Sequence, residues 1–234
     1  SNFRMVQHLN EASGTQHDST SYHNDANAIG SVSTTSAGII DGADTFNGAN
    51  ANYLDCGNSS SLTVTEYTIE AWIKRLGNGV ATYTGTGGIY GEPIVAKGRA
   101  YQDVLGLNVN YFLSINQTGN VAAFDFEDNG PNGQGGIGLN HPLLGQTPLV
   151  NGQWYYLVVT YNGTDALYRN GVLASSAGVN IPADYDQWSA TIGSAVAGAA
   201  AGTADGSFNG TIDEVRIWNR ALSPEEINAS YNNG

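Results

Sequence analysis

Residues 151–171, NGQWYYLVVTYNGTDALYRNG, show the pattern of two β-strands joined by a turn. Side chains alternate between the two faces of a strand, and in residues 154–161 both faces are largely apolar. Asn162 and Gly163 tolerate the left-handed backbone that a tight turn requires. The stretch therefore predicts a β-hairpin whose first strand is central in a sheet and covered on both sides. Its Trp and Tyr side chains suit cross-strand packing, and a sugar-stacking platform is the alternative.

The rest of the chain repeats this strand pattern. Runs rich in β-branched and aromatic residues lie at 64–73, 89–97, 110–115, 121–127, 153–161, 166–170 and 210–219. Their spacing of roughly 8–15 residues favours antiparallel sheets over strand–helix–strand units. A single helix is predicted near the C-terminal end, where Ser223 can cap it, Pro224 suits its first position and two Glu residues follow. We predict an all-β fold of antiparallel sheets with one short C-terminal helix.

The composition limits the classes of partner. The chain has 234 residues and a net charge of −13, and only 8 residues are Lys or Arg. So few cations cannot neutralise many phosphates, which argues against nucleic acid and anionic membrane surfaces as partners. No apolar run reaches membrane-spanning length, so we expect no membrane insertion. The acidic excess suits a soluble surface or the hard oxygen ligands of calcium.

Cys56 is the only cysteine, so an intrachain disulfide is impossible. A lone cysteine in a strand-like run is expected to be a small buried hydrophobe. A chain of this length buries enough surface to hold a core without a disulfide. No linker or internal repeat divides the sequence, and the loop at 195–206 precedes another strand, so we predict a single domain over residues 1–234.

Four segments carry a family resemblance, in this order along the chain: HLNEASGTQHDSTSYHNDA (8–26), TFNGANANYLDCG (45–57), NGQWYYLVVTYNGTDALYRNGVL (151–173) and GSFNGTIDEVRIWNRALSPEEI (206–227). Together they resemble laminin-G-like domains of the concanavalin A-like lectin and glucanase superfamily, over about residues 8–231. The last segment is the most specific of the four. The resemblance implies a two-sheet antiparallel jelly-roll sandwich. We expect this domain to be excised from a larger surface or secreted protein.

The resemblance also implies a structural calcium ion that ties the N-terminal loop to the last strand. The implied ligands are Asp18, a backbone carbonyl at His23 or Asn24, another at Asn47 or Gly48, and Asp213. The loop around Asp18 is rich in Ser, Asn and Asp oxygens, which calcium prefers. The alternative is that Asp18 forms an Asx-type turn and that Asp213 is an ordinary strand carboxylate.

Asp125 and Glu127 lie two residues apart, which places them on one face of a strand with roughly 7 Å between them. Glycosidases use two carboxylates at such separations. The segment DFED (125–128) departs, however, from the E-x-D-x-x-E pattern of the β-glucanases that share the jelly-roll fold. Three interpretations stay open: solvated loop acids, a second cation or ligand site, and a catalytic pair.

These observations favour a non-catalytic extracellular recognition or adhesion module that binds a glycan or a cell-surface protein and is stabilised by calcium. Aromatic residues in Gly- or Asp-rich segments are the candidate sugar-stacking positions: Tyr83, Tyr90, Tyr101, Tyr185 and Trp188. One alternative is a glycan-cleaving enzyme, either a glycoside hydrolase or a polysaccharide lyase, with Asp125 and Glu127 as its pair. Another alternative is a self-assembling surface or filament subunit.

Overall fold

The computed structural model describes residues 2–49, 52–98, 108–129, 138–181, 183, 188–196 and 204–233. These residues form eighteen β-strands, a 3-10 turn (Ser60–Leu62) and one α-helix, α1 (Pro224–Asn233). The strands are β1 (Phe3–Gln7), β2 (Asn27–Ile29), β3 (Ser33–Ile40), β4 (Gly42–Asn47), β5 (Tyr53–Asp55), β6 (Tyr67–Arg75), β7 (Thr82–Tyr83), β8 (Tyr90–Gly98), β9 (Val109–Asn116), β10 (Val121–Asp125), β11 (Leu143–Pro148), β12 (Trp154–Tyr161), β13 (Thr164–Arg169), β14 (Val172–Gly178), β15 (Ala190–Ile192), β16 (Ala195–Val196), β17 (Ala204–Asp205) and β18 (Asn209–Trp218).

Sixteen of the strands form two antiparallel sheets that pack face to face, and β16 and β17 form a separate pair. Sheet I has the order β14-β13-β12-β6-β18-β4-β3, with β1 also paired to β18. Sheet II has the order β11-β10-β9-β8-β15-β5-β2, with β7 beside β8. The predicted all-β, two-sheet sandwich with one short C-terminal helix is therefore confirmed. The predicted loop at 195–206 is only partly a loop, because β16 and β17 pair across it and residues 197–203 lie outside the described residues.

The alternation of side chains along the central strands builds the core between the sheets. On β6, Ile69, Ala71 and Ile73 are buried between the sheets, while Trp72 faces the other way. The hairpin strand β12 lies between β6 and β13 and is apolar on both faces, as the sequence predicts. Burial of each such large apolar side chain contributes about 1.5–3 kcal/mol to folding. Cys56 is buried in this core, which confirms its predicted packing role.

Helix α1 covers the outer face of sheet I. Ile227 is fully buried there, and the ring of Tyr231 stacks on Trp72 at 5.6 Å between centroids. The predicted cap is present, because the Glu226 backbone N–H donates to Ser223 Oγ (3.3 Å) and the Ser223 N–H donates to Glu226 Oε2 (2.9 Å). Among the described residues, no helix is long and apolar enough to cross a membrane.

Strand β18 is an interior strand of sheet I and carries the most specific sequence motif. One edge of β18 pairs with β6, and its other edge pairs first with β4 and then with β1. Its register with β6 shifts between Asp213 and Arg216, and Glu214 there has a positive φ of 49°. This irregularity places Asp213 at the point where the partner of β18 changes, next to the backbone of β3.

Candidate functional site

The N-terminal loop around Asp18 is held together by the Asp18 carboxylate itself. This carboxylate is buried and accepts from the backbone N–H groups of Val6 (2.9 Å), Thr20 (3.0 Å) and Asn24 (2.9 Å). It also accepts from the Thr20 hydroxyl at 2.7 Å. Both oxygens therefore have partners without an ion, which is the arrangement of the alternative, turn-forming interpretation.

The residues of the expected calcium site lie in separate places. Gln7 is bridged to Asp18 on one side and paired with Val215 of β18 on the other, so the Asp18 backbone is roughly 10 Å from that strand. Asn47 lies at the opposite end of β4, where its side-chain oxygen accepts from Asn52, and the Gly48 carbonyl accepts from Ser207 at 2.7 Å. The structure therefore does not bring Asp18, Asn47 and Asp213 around one point.

His23 and Asn24 belong to the loop of Asp18 rather than to the surroundings of Asp213. His23 is exposed and has a positive φ of 52°, which suits the turn that it occupies. Asn24 is buried, and its side-chain amide donates to the Arg4 carbonyl (2.7 Å) and to Ser61 Oγ (3.0 Å). These contacts fasten the loop to β1 and to the 3-10 turn.

Asp213 has the oxygen chemistry that a cation requires. Its Oδ2 accepts from the backbone N–H groups of Ile39 (2.6 Å) and Ile40 (3.1 Å), while its buried Oδ1 has no hydrogen-bond partner among the described residues. One buried oxygen of Asp44 on β4 and one of Glu11 likewise have no partner in the described part of the chain. Burial raises the pKa of Asp44 and of Asp213 to about 6, because the charged carboxylates lose water.

A cation at Asp213 would depend on backbone oxygens as well as on side chains. Among the described residues, no group of three or more His, Cys, Asp or Glu side chains is arranged to hold a metal ion. The Gly42 carbonyl lies beside Asp213, because a Cβ on Gly38 would meet Gly42 O at 1.9 Å and Asp213 Oδ2 at 2.8 Å. Asp213 and the Gly42 carbonyl therefore supply two oxygen groups of the kind that calcium prefers, whereas both Asp18 oxygens already accept hydrogen bonds.

Asp125 and Glu127 are closed to solvent. Asp125 lies on the outer face of sheet II, where its Oδ2 accepts from the Thr84 hydroxyl, and it is fully buried. Glu127 is also buried, and its Oε1 accepts from the Gly138 backbone N–H at 3.2 Å. Burial raises the pKa of Asp125 to about 7. A polysaccharide chain cannot reach Asp125 in this structure without displacing the segment that contains Thr84, or Glu127 without displacing the backbone at Gly138.

The neighbourhood of Asp125 contains further buried acids. Asp128 Oδ2 lies 2.8 Å from His141 Nε2, and its Oδ1 accepts from the Leu139 N–H at 3.2 Å. Asp165 on β13 is buried, and among the described residues neither of its side-chain oxygens has a partner. Burial, with the charge of Asp125 as a second cause, raises the pKa of Asp165 to about 8. The surroundings of the Asp165 carboxyl therefore favour its protonated form at neutral pH.

The structure brings together two of the predicted sugar-stacking residues. Tyr83 of β7 pairs with Tyr90 of β8, and their ring centroids lie 4.3 Å apart. Tyr83 is 56% exposed, so this pair offers an aromatic surface to solvent. Trp188 lies elsewhere. Its carbonyl accepts from the Lys97 side chain, and Lys97 is seven residues along β8 from Tyr90, so the two positions on the strand are roughly 23 Å apart. Tyr101 and Tyr185 lie outside the described residues.

A polar cleft that the sequence did not predict lies between the Asp18 loop and the segment 59–66. We call it the Arg4–Tyr22 cleft, and its volume is about 510 Å³. The Arg4 guanidinium lies 4.9 Å from the centroid of the Tyr22 ring and donates to the Tyr22 hydroxyl. Its other walls are Val64, Glu66, Asn219 and the hydroxyl residues Ser59, Ser60, Ser61, Thr63 and Thr65. The only local signal in the sequence is the run of small hydroxyl residues.

The chain belongs to the family described as the concanavalin A-like lectin/glucanases superfamily, whose model matches residues 47–228. No curated protein sequence matches the chain significantly. The resemblance that the four sequence segments carry is therefore confirmed at the level of the family.

Solved structures share the fold at low identity. Domain 4 of AbnA, a GH43 extracellular arabinanase from Geobacillus stearothermophilus in complex with arabinotriose, has a TM-score of 0.66 at 19% identity over 97% of each chain. The binding domain of Paraclostridial Mosquitocidal Protein 1 has a TM-score of 0.69 at 14% identity, over 99% of this chain and 52% of that one. The Botulinum Neurotoxin serotype G binding domain has a TM-score of 0.68 at 15% identity, over 98% of this chain and 50% of that one. The chain thus spans about half the length of these toxin domains.

Proposed function

We propose that the chain is a non-catalytic carbohydrate-binding module that acts outside the cell. The observation that carries this proposal is the contrast in accessibility between the candidate sites. The carboxylates that a glycosidase would require, Asp125 and Glu127, are buried, whereas the tyrosine surfaces at Tyr22 and Tyr83 are open to solvent. Aromatic faces next to a few polar groups are the usual means of holding a small ligand on a rigid scaffold.

The comparison with the arabinanase domain supports the same proposal. That domain matches this chain over nearly the full length of both, it belongs to an extracellular protein, and its structure contains a bound oligosaccharide. At 19% identity the likeness extends to the fold and leaves the ligand of this chain open. A glycan partner and an extracellular location follow as the proposal for this chain.

A glycan array followed by isothermal titration with the best oligosaccharides tests the proposal. We expect binding without release of reducing ends or unsaturated sugars from the same polysaccharides. Failure of every glycan to bind would overturn the proposal. Turnover that disappears in Glu127→Gln would overturn it in favour of the enzyme alternative.

We also propose that calcium stabilises the module at Asp213. One buried oxygen of Asp213 and one of Asp44 have no partner within the described residues, and together with the adjacent Gly42 carbonyl they support this site over one at Asp18. The ion would neutralise carboxylates that burial otherwise drives toward protonation. It would hold β3 against β18, where the Asp213 carboxylate already accepts from two backbone N–H groups of β3.

Self-assembly is a second candidate function, and one observation favours it. Strand β14 is at the edge of sheet I, and its Val172 and Leu173 are 66% and 52% exposed. Exposed apolar edge strands pair readily with other chains. Sedimentation that shows a concentration-dependent oligomer, lost in Leu173→Lys, would establish this role.

A further inference from the structure

We propose that the Arg4–Tyr22 cleft is a binding site for one residue of a neutral saccharide, held by Arg4, Tyr22 and the hydroxyl groups of the segment 59–65. This inference rests on the proposed function and deepens it, because it assigns the site and the chemical class of the ligand. Its volume of about 510 Å³ is in the range of small-ligand sites in proteins.

Two other arginines of sheet I are paired with acidic side chains, and Arg4 differs from them. Arg75 lies 2.6 Å from Glu92, and Arg216 lies 2.5 Å from Glu214. Among the described residues, Arg4 has no carboxylate partner. Arg4 donates to the Tyr22 hydroxyl. With the Asn219 amide oriented so that its nitrogen donates to the Asn2 carbonyl, Arg4 Nη2 also donates to the Asn219 side-chain oxygen at 2.6 Å. These two bonds use two of the five guanidinium donors, and no carboxylate among the described residues occupies the others.

The two contacts also fix the orientation of the guanidinium. Tyr22 is itself fixed, because its backbone N–H donates to Thr20 Oγ1 at 3.2 Å and Thr20 is bound to the Asp18 carboxylate. The opposite wall is fixed by Asn24, which bonds Ser61 Oγ at 3.0 Å. A ligand therefore meets groups that are already ordered, which reduces the entropy lost on binding.

The polar groups of the cleft match sugar hydroxyls. The planar guanidinium donates in pairs to vicinal oxygens, and the Glu66 carboxylate accepts from hydroxyl hydrogens. Tyr22 is 43% exposed, so part of its ring remains open for the apolar C–H face of a sugar ring. The serine and threonine hydroxyls can donate or accept according to the ligand.

Charge selects a neutral saccharide over an acidic one. Arg4 and Glu66 give the cleft no net formal charge, and the chain as a whole carries −13. An anionic polysaccharide would be repelled over distances of about the Debye length, roughly 8 Å at physiological salt. Neutral oligosaccharides avoid this cost and still use every donor and acceptor in the cleft.

Isothermal titration of the full chain with neutral trisaccharides of arabinose, xylose, glucose and galactose, and with uronic acid trisaccharides, tests the site and the ligand class. We expect at least one neutral trisaccharide to bind more tightly than every uronate. Tyr22→Ala and Arg4→Gln should each weaken that binding about tenfold or more, and Arg4→Lys should not restore it because it lacks the planar fork.

Matched variants separate the site from the general function. Arg169→Gln removes an arginine that also lies over a tyrosine ring, that of Tyr155, and should leave the affinity unchanged. Loss of binding in Tyr83→Ala with retention in Tyr22→Ala would overturn the site while the proposed function stands. Tighter binding of a uronate would overturn the ligand class, and no binding by the wild-type chain would overturn both proposals. Circular dichroism of each variant shows that it is folded, and Tyr22→Phe provides a second, milder test that removes only the hydroxyl.

Discussion

Asp18 and Asp165 are buried to a similar degree, at 4% and 1% exposure, but their surroundings differ completely. The Asp18 carboxylate accepts four hydrogen bonds, three of them from backbone N–H groups. The Asp165 carboxylate accepts none from the described residues, and burial raises its pKa to about 8. Burial alone therefore does not determine whether an aspartate holds a structure together or opposes it; the donors around the carboxylate do.

The comparison also explains why the Asp18 loop resembles a cation site in the sequence. Calcium ligands and Asx-type turns use the same residues, since both need carboxylate and amide oxygens in a loop. Around Asp18, the carboxylate oxygens accept hydrogen bonds from backbone N–H groups of the chain itself. One oxygen of Asp213 and one of Asp44 have no such donor among the described residues, and the proposed calcium ion would satisfy them.

The largest expected effect is at Asp18. Asp18→Ala leaves four donors without an acceptor in a largely buried loop, and we expect the free energy of unfolding to fall by about 3–4 kcal/mol, at about 1 kcal/mol for each bond. Urea denaturation measures this change. A loss below about 1 kcal/mol would show that the loop does not depend on this carboxylate.

Calcium provides the second test. If calcium binds at Asp213, a concentration 100 times the dissociation constant raises the free energy of unfolding by about 2.7 kcal/mol. Thermal denaturation with calcium and with a chelator measures the shift. Asp213→Asn should abolish it and Asp18→Asn should not. The reverse result would indicate that calcium binds at Asp18 in the N-terminal loop and not at Asp213.

The third prediction concerns pH. The folded-state pKa of Asp165 is about 8, above its ordinary value of 3.8, so its favourable contribution is complete below about pH 4 and is lost as the pH rises towards 8. The pKa of Asp125 is raised to about 7, so its contribution to stability is lost in the same direction over a slightly lower pH range. We expect Asp165→Asn to have nearly the same free energy of unfolding as the wild type near pH 4 and a larger one at pH 8, with a difference that grows as the pH rises between these values. Chemical denaturation at both pH values checks this, and parallel pH profiles would contradict it.

The smallest expected effect is at Thr20. Thr20→Val keeps the shape of the side chain but removes the hydroxyl that donates to Asp18 and accepts from the Tyr22 N–H. We expect a loss of about 1 kcal/mol in urea denaturation, well below that of Asp18→Ala. A loss equal to that of Asp18→Ala would mean that the hydroxyl, rather than the backbone donors, holds the loop.

The fold was largely predictable from the sequence because the central strands carry strong apolar alternation. The predicted runs at 64–73 and 153–161 became β6 and β12 with shifts of one to three residues. Edge strands such as β14, VLASSAG, escaped prediction. A strand that is paired on one side only, with an exposed face, needs no apolar pattern, and small polar residues suffice.

The candidate site was less predictable, since its parts are distant in the sequence. Arg4 and Tyr22 are 18 residues apart and meet only because Asp18 folds the loop back onto β1. The shared face of Asp125 and Glu127 follows from the strand period, but the contact that closes Asp125 comes from Thr84, 41 residues away in the sequence. No local pattern records which segment covers a strand face.

The position of β18 has a consequence for how the chain folds. Strand β18 is the last of the described strands in the sequence, yet it lies in the interior of sheet I, between β6 on one edge and β4 and β1 on the other. Sheet I therefore cannot close until residues up to Trp218 have been synthesised, and β1 has no partner until then. Pairing between segments so distant in the sequence makes folding slow.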